Sequence, residues 1–154
     1  MTELETDEEI MYNRQMRLWG AEGQSKLKNS RVAVVGLGPQ GVYTSLCLAA
    51  LGIGNIVLVD GEEVEKDEMF LDMAVPKGPR GLSYRELFSK INQKINLEGY
   101  PSGLETRVDQ TLLTGTNVII DATNSVRSKK LSTDFGKERG IPVLSTSSRW
   151  GYTK

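Results

Sequence analysis

Three stretches rich in valine and isoleucine carry apolar residues one after another without alternation: Val32 to Val35, Ile56 to Val59 and Val118 to Ile120. A strand with one wet face alternates apolar and polar positions, so unbroken runs of this length predict strands covered on both faces, as in a parallel sheet. The first run passes through Gly36-Leu37-Gly38-Pro39-Gln40-Gly41 into a helical stretch, Val42 to Leu51, which Gly52 and Gly54 stop. Ile56 to Asp60 follows as a second strand, completing one βαβ unit. From Gly61 to Gly81 the pattern dissolves into charge, proline and glycine, and this part is read as a loop over the sheet edge. Tyr84, Leu87, Phe88, Ile91 and Ile95 recur at helical spacing and predict an amphipathic helix from about Ser83 to Leu97, with a further strand at Leu104 to Val108. Val118 to Asp121 is a third buried strand. Val126, Leu131 and Phe135 mark a helix ending near Gly140. Ile141 to Ser145 then forms another strand, with Pro142 near its start, where a missing N–H matters least.

Strand and helix alternating in this way predict an α/β fold with a doubly wound, Rossmann-like, mostly parallel sheet. Ahead of it, Asp7 to about Lys28 is helical in composition and interrupted at Gly20 and Gly23, which predicts two short helices. The chain therefore divides into an N-terminal helical segment, residues 1–28, and one Rossmann-like domain, residues 29–154. Its sheet is expected to continue past Lys154, in a longer native chain or in a partner.

Composition narrows the chemistry. The 154 residues suffice for one domain with its own core, and 19 Lys and Arg against 20 Asp and Glu leave no basic excess for nucleic acid or an anionic membrane. No stretch approaches the roughly 20 apolar residues of a membrane span, and the acidic start MTELETDEEI is unlike a basic signal region, so the expected location is cytoplasmic. A single cysteine excludes an internal disulfide framework. The absence of histidine excludes Ser-His-Asp catalysis and the usual zinc hydrolase centre.

Gly36, Gly38 and Gly41 form a G-x-G-x-x-G pattern between a strand and a helix, the context in which the pattern holds phosphate. Gly36 allows the tight turn, Gly38 lets the backbone approach phosphate oxygens, and Gly41 permits close helix packing. The helix start presents free N–H groups and a positive dipole end to an anion. Asp60, about twenty residues on at the end of the second strand, is placed to accept hydrogen bonds from ribose hydroxyls. The bland alternative is a plain tight turn with Asp60 as a local cap. Pro39 offers a preset φ at the first helical position but no N–H, so one phosphate donor is missing. Asp121 ends a buried strand and either holds magnesium or caps the following turn.

The block Tyr12-Asn13-Arg14-Gln15-Met16-Arg17-Leu18-Trp19-Gly20, followed by Leu27 to Arg31 and the glycine loop, resembles the ThiF/MoeB adenylating proteins and the ubiquitin-like-protein activating enzymes. The Arg-Leu-Trp-Gly wording is most similar to the small subunit of the SUMO-activating enzyme. The resemblance runs from about Glu9 to the end. It implies binding of ATP, activation of the C-terminal carboxylate of a ubiquitin-like or sulfur-carrier protein as an acyl adenylate, and a homodimer or heterodimer of family members. The family's cis arginine, after the second strand, has no counterpart in Gly61 to Leu71. The family lysine falls on Arg80, with Lys77 as a stand-in, and the family's magnesium (Mg) aspartate falls on Asn124. Arg14 matches the arginine that reaches across the dimer to phosphates in the other subunit. Degraded cis groups together with Arg14 imply a partner subunit that contributes Arg14 in trans.

Two further classes remain beside the partner subunit: an adenylyltransferase active on its own, and an NAD-binding oxidoreductase domain. Of the other residues, Cys47 reads as a small buried hydrophobe, and Trp19 and Trp150 as packing or interface aromatics. Arg127, Lys129 and Lys130 read as a solvated helix face, with Arg127 also matching a family arginine near the magnesium site.

Overall fold

The structure, a computed structural model, describes residues 4–64 and 75–147. Five strands form one parallel sheet: β1 (Arg31–Val35), β2 (Asn55–Val59), β3 (Asn96–Tyr100), β4 (Val118–Asp121) and β5 (Val143–Ser145), in the order β3-β2-β1-β4-β5. Among the described residues five α-helices accompany them: α1 (Thr6–Met11), α2 (Asn13–Lys28), α3 (Pro39–Leu51), α4 (Arg80–Ser89) and α5 (Val126–Arg139). The register is regular, with Val32 opposite both Ile56 and Val118, and Val35 opposite both Val59 and Asp121. Growing outward from β1 on both sides, the chain leaves a crevice at the carboxyl ends of β1 and β4, where the winding reverses.

Successive strand residues point to opposite faces, and both faces are covered, which is why the runs show no alternation. Val32, Val34, Ile56, Leu58 and Ile120 pack with Leu37, Val42, Tyr84 and Phe88 on the side of α3 and α4. Ala33, Val35, Val57, Val59 and Ile119 pack with Leu104, Leu113 and Phe135 on the side of α5. Helix ends fall where left-handed glycines allow: Gly52 (φ 81°) closes α3 and Gly140 (φ 67°) closes α5.

Two expectations from the pattern are corrected. The helix expected to reach Leu97 ends at Ser89, and Leu97 instead lies in β3. Asn92 is what turns the chain: its side-chain amide donates to the Ala49 carbonyl (2.8 Å) and the Tyr12 hydroxyl (2.7 Å), while its Oδ1 accepts from the Lys94 N–H (3.0 Å). The strand expected at Leu104 to Val108 is not one, and a 3-10 turn, Asp109–Leu113, follows that segment. Asp109 accepts the N–H groups of Glu105 and Thr106, fixing a loop there. The N-terminal segment breaks at Tyr12 and again at Gly20 (φ 72°). Of the stretch read as a loop from Gly61 to Gly81, α4 takes Arg80 and Gly81, and residues 65–74 lie outside the described part, as does Trp150.

The N-terminal block is a clasp on the end of α3. Gln24 is wholly buried. Its Oε1 accepts from Gln15 Nε2 (2.9 Å) and Trp19 Nε1 (3.0 Å), and its Nε2 donates to the Leu51 carbonyl (2.9 Å). Gln15 Nε2 donates to that same carbonyl at 2.8 Å. These donors satisfy carbonyls that a helix leaves unpaired at its last turn. A Cβ on Gly52 would lie 2.7 Å from the Tyr12 hydroxyl and 2.9 Å from Gln24 Nε2, so only glycine lets the clasp close. Replacing Gln24 with Ala removes three hydrogen bonds, leaves the Trp19 indole N–H without its acceptor and opens a void at a wholly buried position, and urea unfolding should register a loss of about 2–3 kcal/mol. A loss under about 0.5 kcal/mol would show that the clasp is ornamental.

Candidate functional site

At the carboxyl ends of β1, β2 and β4 lies a cavity of about 510 Å³, within the range of small-ligand pockets. The glycine loop forms one wall and the first residues after β2 and β4 form the others. The three glycines do different work. Gly36 has φ 87°, and a Cβ there would meet Thr123 Cγ2 at 2.7 Å. A Cβ on Gly41 would run into the carbonyl oxygen of Gly36, so this glycine sets how closely α3 packs on β1. Gly38 has extended backbone, lines the cavity, and a Cβ there would meet nothing within 4 Å. The protein itself does not need Gly38 to be small. Pro39 sits at the start of α3, as the sequence implied.

Asp60 is the hub of the site. Only 8% exposed, its Oδ2 accepts the Leu37 N–H (2.6 Å) and its Oδ1 accepts the Glu62 N–H (2.8 Å). Burial pushes its pKa above the ordinary carboxylate value, against the pull of those two N–H groups and of Arg80. Arg80 opens α4, with its side chain 12% exposed, Nη1 3.8 Å from Asp60 Oδ2 and ion-paired to Glu62. Gly81 brings α4 close, its N–H donating to the Asp60 carbonyl at 3.2 Å. Tyr84, one turn on, is fully buried, and among the described residues its hydroxyl has no hydrogen-bond partner. Desolvation raises its pKa, with the charges of Arg80 and Asp60 acting in opposite directions on it.

The remaining expected residues divide. Gly36, Gly38, Asp60, Arg80 and Asn124 line the cavity together, whereas Gly41, Asp121, Lys77 and Arg14 do not. Of the two readings of Asp121, the bonds are those of a cap. Its Oδ1 accepts from the Thr123 N–H (3.0 Å) and hydroxyl (2.6 Å), and its Oδ2 from the hydroxyls of Ser128 (2.9 Å) and Ser132 (2.8 Å). With Asn124 neutral and exposed and Asp121 turned inward, no group of three acidic, histidine or cysteine residues suited to a metal ion occurs among the described residues. Asp121, its oxygens taken by Thr123, Ser128 and Ser132, and Asn124, a neutral amide, do not between them offer the cavity a free carboxylate for magnesium.

Two expectations about side chains change. Cys47 is exposed, because it falls on the outward side of α3. Lys129 is not part of a solvated face: its Nζ donates to the carbonyls of Asp121 (3.3 Å) and Thr146 (2.6 Å), bracing the ends of β4 and β5. Arg14 stands exposed near the start of α2, flanked by the anchored Tyr12 and Gln15. The pattern along the chain gave no sign of Glu62, Glu105 or Thr123, which also line the cavity. Glu62 lies beside Arg80 in space, the Arg80 N–H donating to the Glu62 carbonyl at 2.8 Å.

A parallel sheet wound outward from β1, with a glycine turn and a strand-end acid at the switch point, places the molecule among the Rossmann-like α/β domains. The chain belongs to the ThiF family, whose pattern it matches over residues 12–152. It is 34% identical over 151 residues to the adenylyltransferase and sulfurtransferase UBA4 of Saccharomyces cerevisiae, covering 94% of this chain and 34% of that protein. To the adenylyltransferase and sulfurtransferase MOCS3 of Anopheles gambiae it is 34% identical over 154 residues, covering 96% of this chain and 35% of that one. The chain thus spans about a third of the length of these curated relatives. In fold it superposes on the E. coli tRNA N6-threonylcarbamoyladenosine dehydratase TcdA with a TM-score of 0.86 at 22% identity, over 100% of this chain and 65% of that one. That protein has been solved with AMP and with ATP. No helix of the described residues is long and apolar enough to cross a membrane.

Three substitutions follow from this geometry. Gly38→Ala has open space for its methyl group and should change stability by less than about 1 kcal/mol, while Gly41→Ala should cost about 1–3 kcal/mol through its clash with the Gly36 carbonyl. Thermal unfolding of the pair checks this, and equal losses would mean that Gly38 is structural too. Tyr84→Phe removes a buried hydroxyl that bonds to none of the described residues, so stability should hold or rise by up to about 1 kcal/mol. A drop of more than about 1 kcal/mol in urea unfolding would reveal a partner for that hydroxyl.

Proposed function

We propose that this chain holds an adenine nucleotide at the strand ends. It works in activating the C-terminal carboxylate of a ubiquitin-like or sulfur-carrier protein, as a subunit that supplies Arg14 to the site of a second family member. The observation that carries this reading is the contrasting placement of two arginines. Arg80, the cation that would serve phosphates in cis, is held by Glu62 and Asp60, whereas Arg14 stands exposed and outside this chain's own cavity.

The chemistry explains why that contrast matters. A carboxylate oxygen attacks the α-phosphorus of ATP, the bond to the β,γ-phosphates breaks, and pyrophosphate leaves with the electron pair. Attacking and attacked groups are both anionic, so cations fixed beside the phosphates stabilise the transition state. A guanidinium reaching across a dimer offers a rigid fork of donors for this purpose. The clasp of Tyr12, Gln15 and Gln24 keeps the first turn of α2, and with it Arg14, fixed against α3. Within the chain's own site, Asp60 would hold the ribose, Gly36 and Gly38 the phosphates through their backbone, and Arg80 with Lys77 the outer phosphates once Arg80 leaves Glu62. No step is assigned to magnesium.

Membership of the ThiF family and the adenylyltransferase names of the curated relatives support this chemistry. Exposed apolar side chains on α1, α2 and α3, among them Ile10, Leu18 and Tyr43, support association with another subunit in the cytoplasm. ATP–pyrophosphate exchange, with a carrier protein ending in Gly-Gly, separates a partner subunit from a self-sufficient enzyme. The chain alone should give no exchange, a second family member should restore it, and Arg14→Ala should lower exchange by the mixed complex about 100-fold or more without altering nucleotide binding by this chain. Robust exchange by the chain alone would falsify the partner-subunit reading.

A further inference from the structure

Among the described residues, four ionisable side chains line the cavity: Asp60, Glu62, Glu105 and Arg80. Three are carboxylates and one is a guanidinium. That guanidinium lies between two of the carboxylates, paired with Glu62 and 3.8 Å from Asp60 Oδ2. Asp60 cannot swing away to release it, because each carboxylate oxygen accepts a backbone N–H, from Leu37 and from Glu62. Glu62 can, since its side chain is 76% exposed.

Such a cavity treats the two halves of a nucleotide differently. The sugar meets a carboxylate already aimed and a loop already shaped. Beyond the backbone N–H groups of the glycine loop, phosphates meet, among the described residues, one cationic side chain already paired and otherwise only carboxylates, in a partly enclosed space where solvent screens less than in bulk water. A polyphosphate entering must take Arg80 from Glu62 or lie beside uncompensated carboxylates.

We propose that this cavity selects an uncharged nucleoside over the corresponding polyphosphate, and that Glu62 sets the selectivity by retaining Arg80. The proposal rests on the nucleotide reading above and goes beyond it by naming the ligand class of the chain's own site. Glu62 is then an internal competitor of phosphate. Its carboxylate occupies the guanidinium that a phosphate would use, and it leaves the ribose contacts on Asp60 untouched.

Calorimetric titration of the purified full chain with adenosine and with ATP, in low salt with a chelator, tests this. Wild type should bind adenosine at least as tightly as ATP. Glu62→Gln should tighten ATP by about fivefold or more and change adenosine by less than about twofold, and adding Arg80→Gln should remove the gain. ATP binding about tenfold tighter than adenosine in wild type, or unchanged in Glu62→Gln, overturns the selectivity and leaves the nucleotide reading standing. No heat with either ligand overturns the nucleotide reading, and this proposal with it.

Discussion

One carboxylate organises the business end of this molecule. Asp60 stands just beyond β2 and takes the Leu37 N–H of the glycine turn on one oxygen and the Glu62 N–H of the following loop on the other. Its own carbonyl receives the Gly81 N–H, and its N–H reaches the Tyr100 carbonyl. Four separate segments, from β1, β2, β3 and α4, are thereby referred to a single residue. Burying a carboxylate is unfavourable, and its raised pKa records that cost, but two backbone donors and a nearby guanidinium hold it in place.

The opposite end of α3 is held with equal care. The glycine turn fixes where that helix begins, and the clasp of Tyr12, Gln15, Trp19 and Gln24 fixes where it ends. α3 is thus a strut between the cavity and the N-terminal helices. Any displacement of the first turn of α2 must break buried hydrogen bonds to Leu51, and Asn92 ties Tyr12 and Ala49 into the same knot. Arg14 is exposed, yet its backbone is among the better anchored parts of the N-terminal region.

Much of this was legible along the chain. Unbroken apolar runs identified β1, β2 and β4 because burial on both faces leaves no room for alternation, and glycines marked the ends of α3 and α5 because only they adopt a left-handed cap without strain. β3 was not legible. Its sequence, Asn96-Leu97-Glu98-Gly99-Tyr100, is half polar, with Glu98 serving a bidentate pair with Arg31 (2.5 and 2.8 Å), so it looks like the tail of the preceding helix. Lys129 belonged by spacing to a charged helix face, but the ends of β4 and β5 offered it carbonyls. The pairing of Arg80 with Glu62 was hidden for a different reason. It depends on a backbone contact between residues eighteen apart in the sequence, the Arg80 N–H on the Glu62 carbonyl, and no local periodicity records such a contact.

The glycine loop also shows why such a motif says less about ligands than its reputation suggests. Gly36 is required by a left-handed turn against Thr123, and Gly41 by the approach of α3 to the Gly36 carbonyl. Both demands come from the protein, and the bond from Leu37 to Asp60 would hold the same shape with nothing bound. A chain that had given up nucleotide chemistry would still need those two glycines to hold the turn. Gly38 differs, because open cavity lies where its side chain would be, and neither turn nor packing accounts for it. The chemical meaning of the loop therefore rests on one glycine of the three, and the meaning of the cavity on whether Arg80 answers to phosphate or to Glu62.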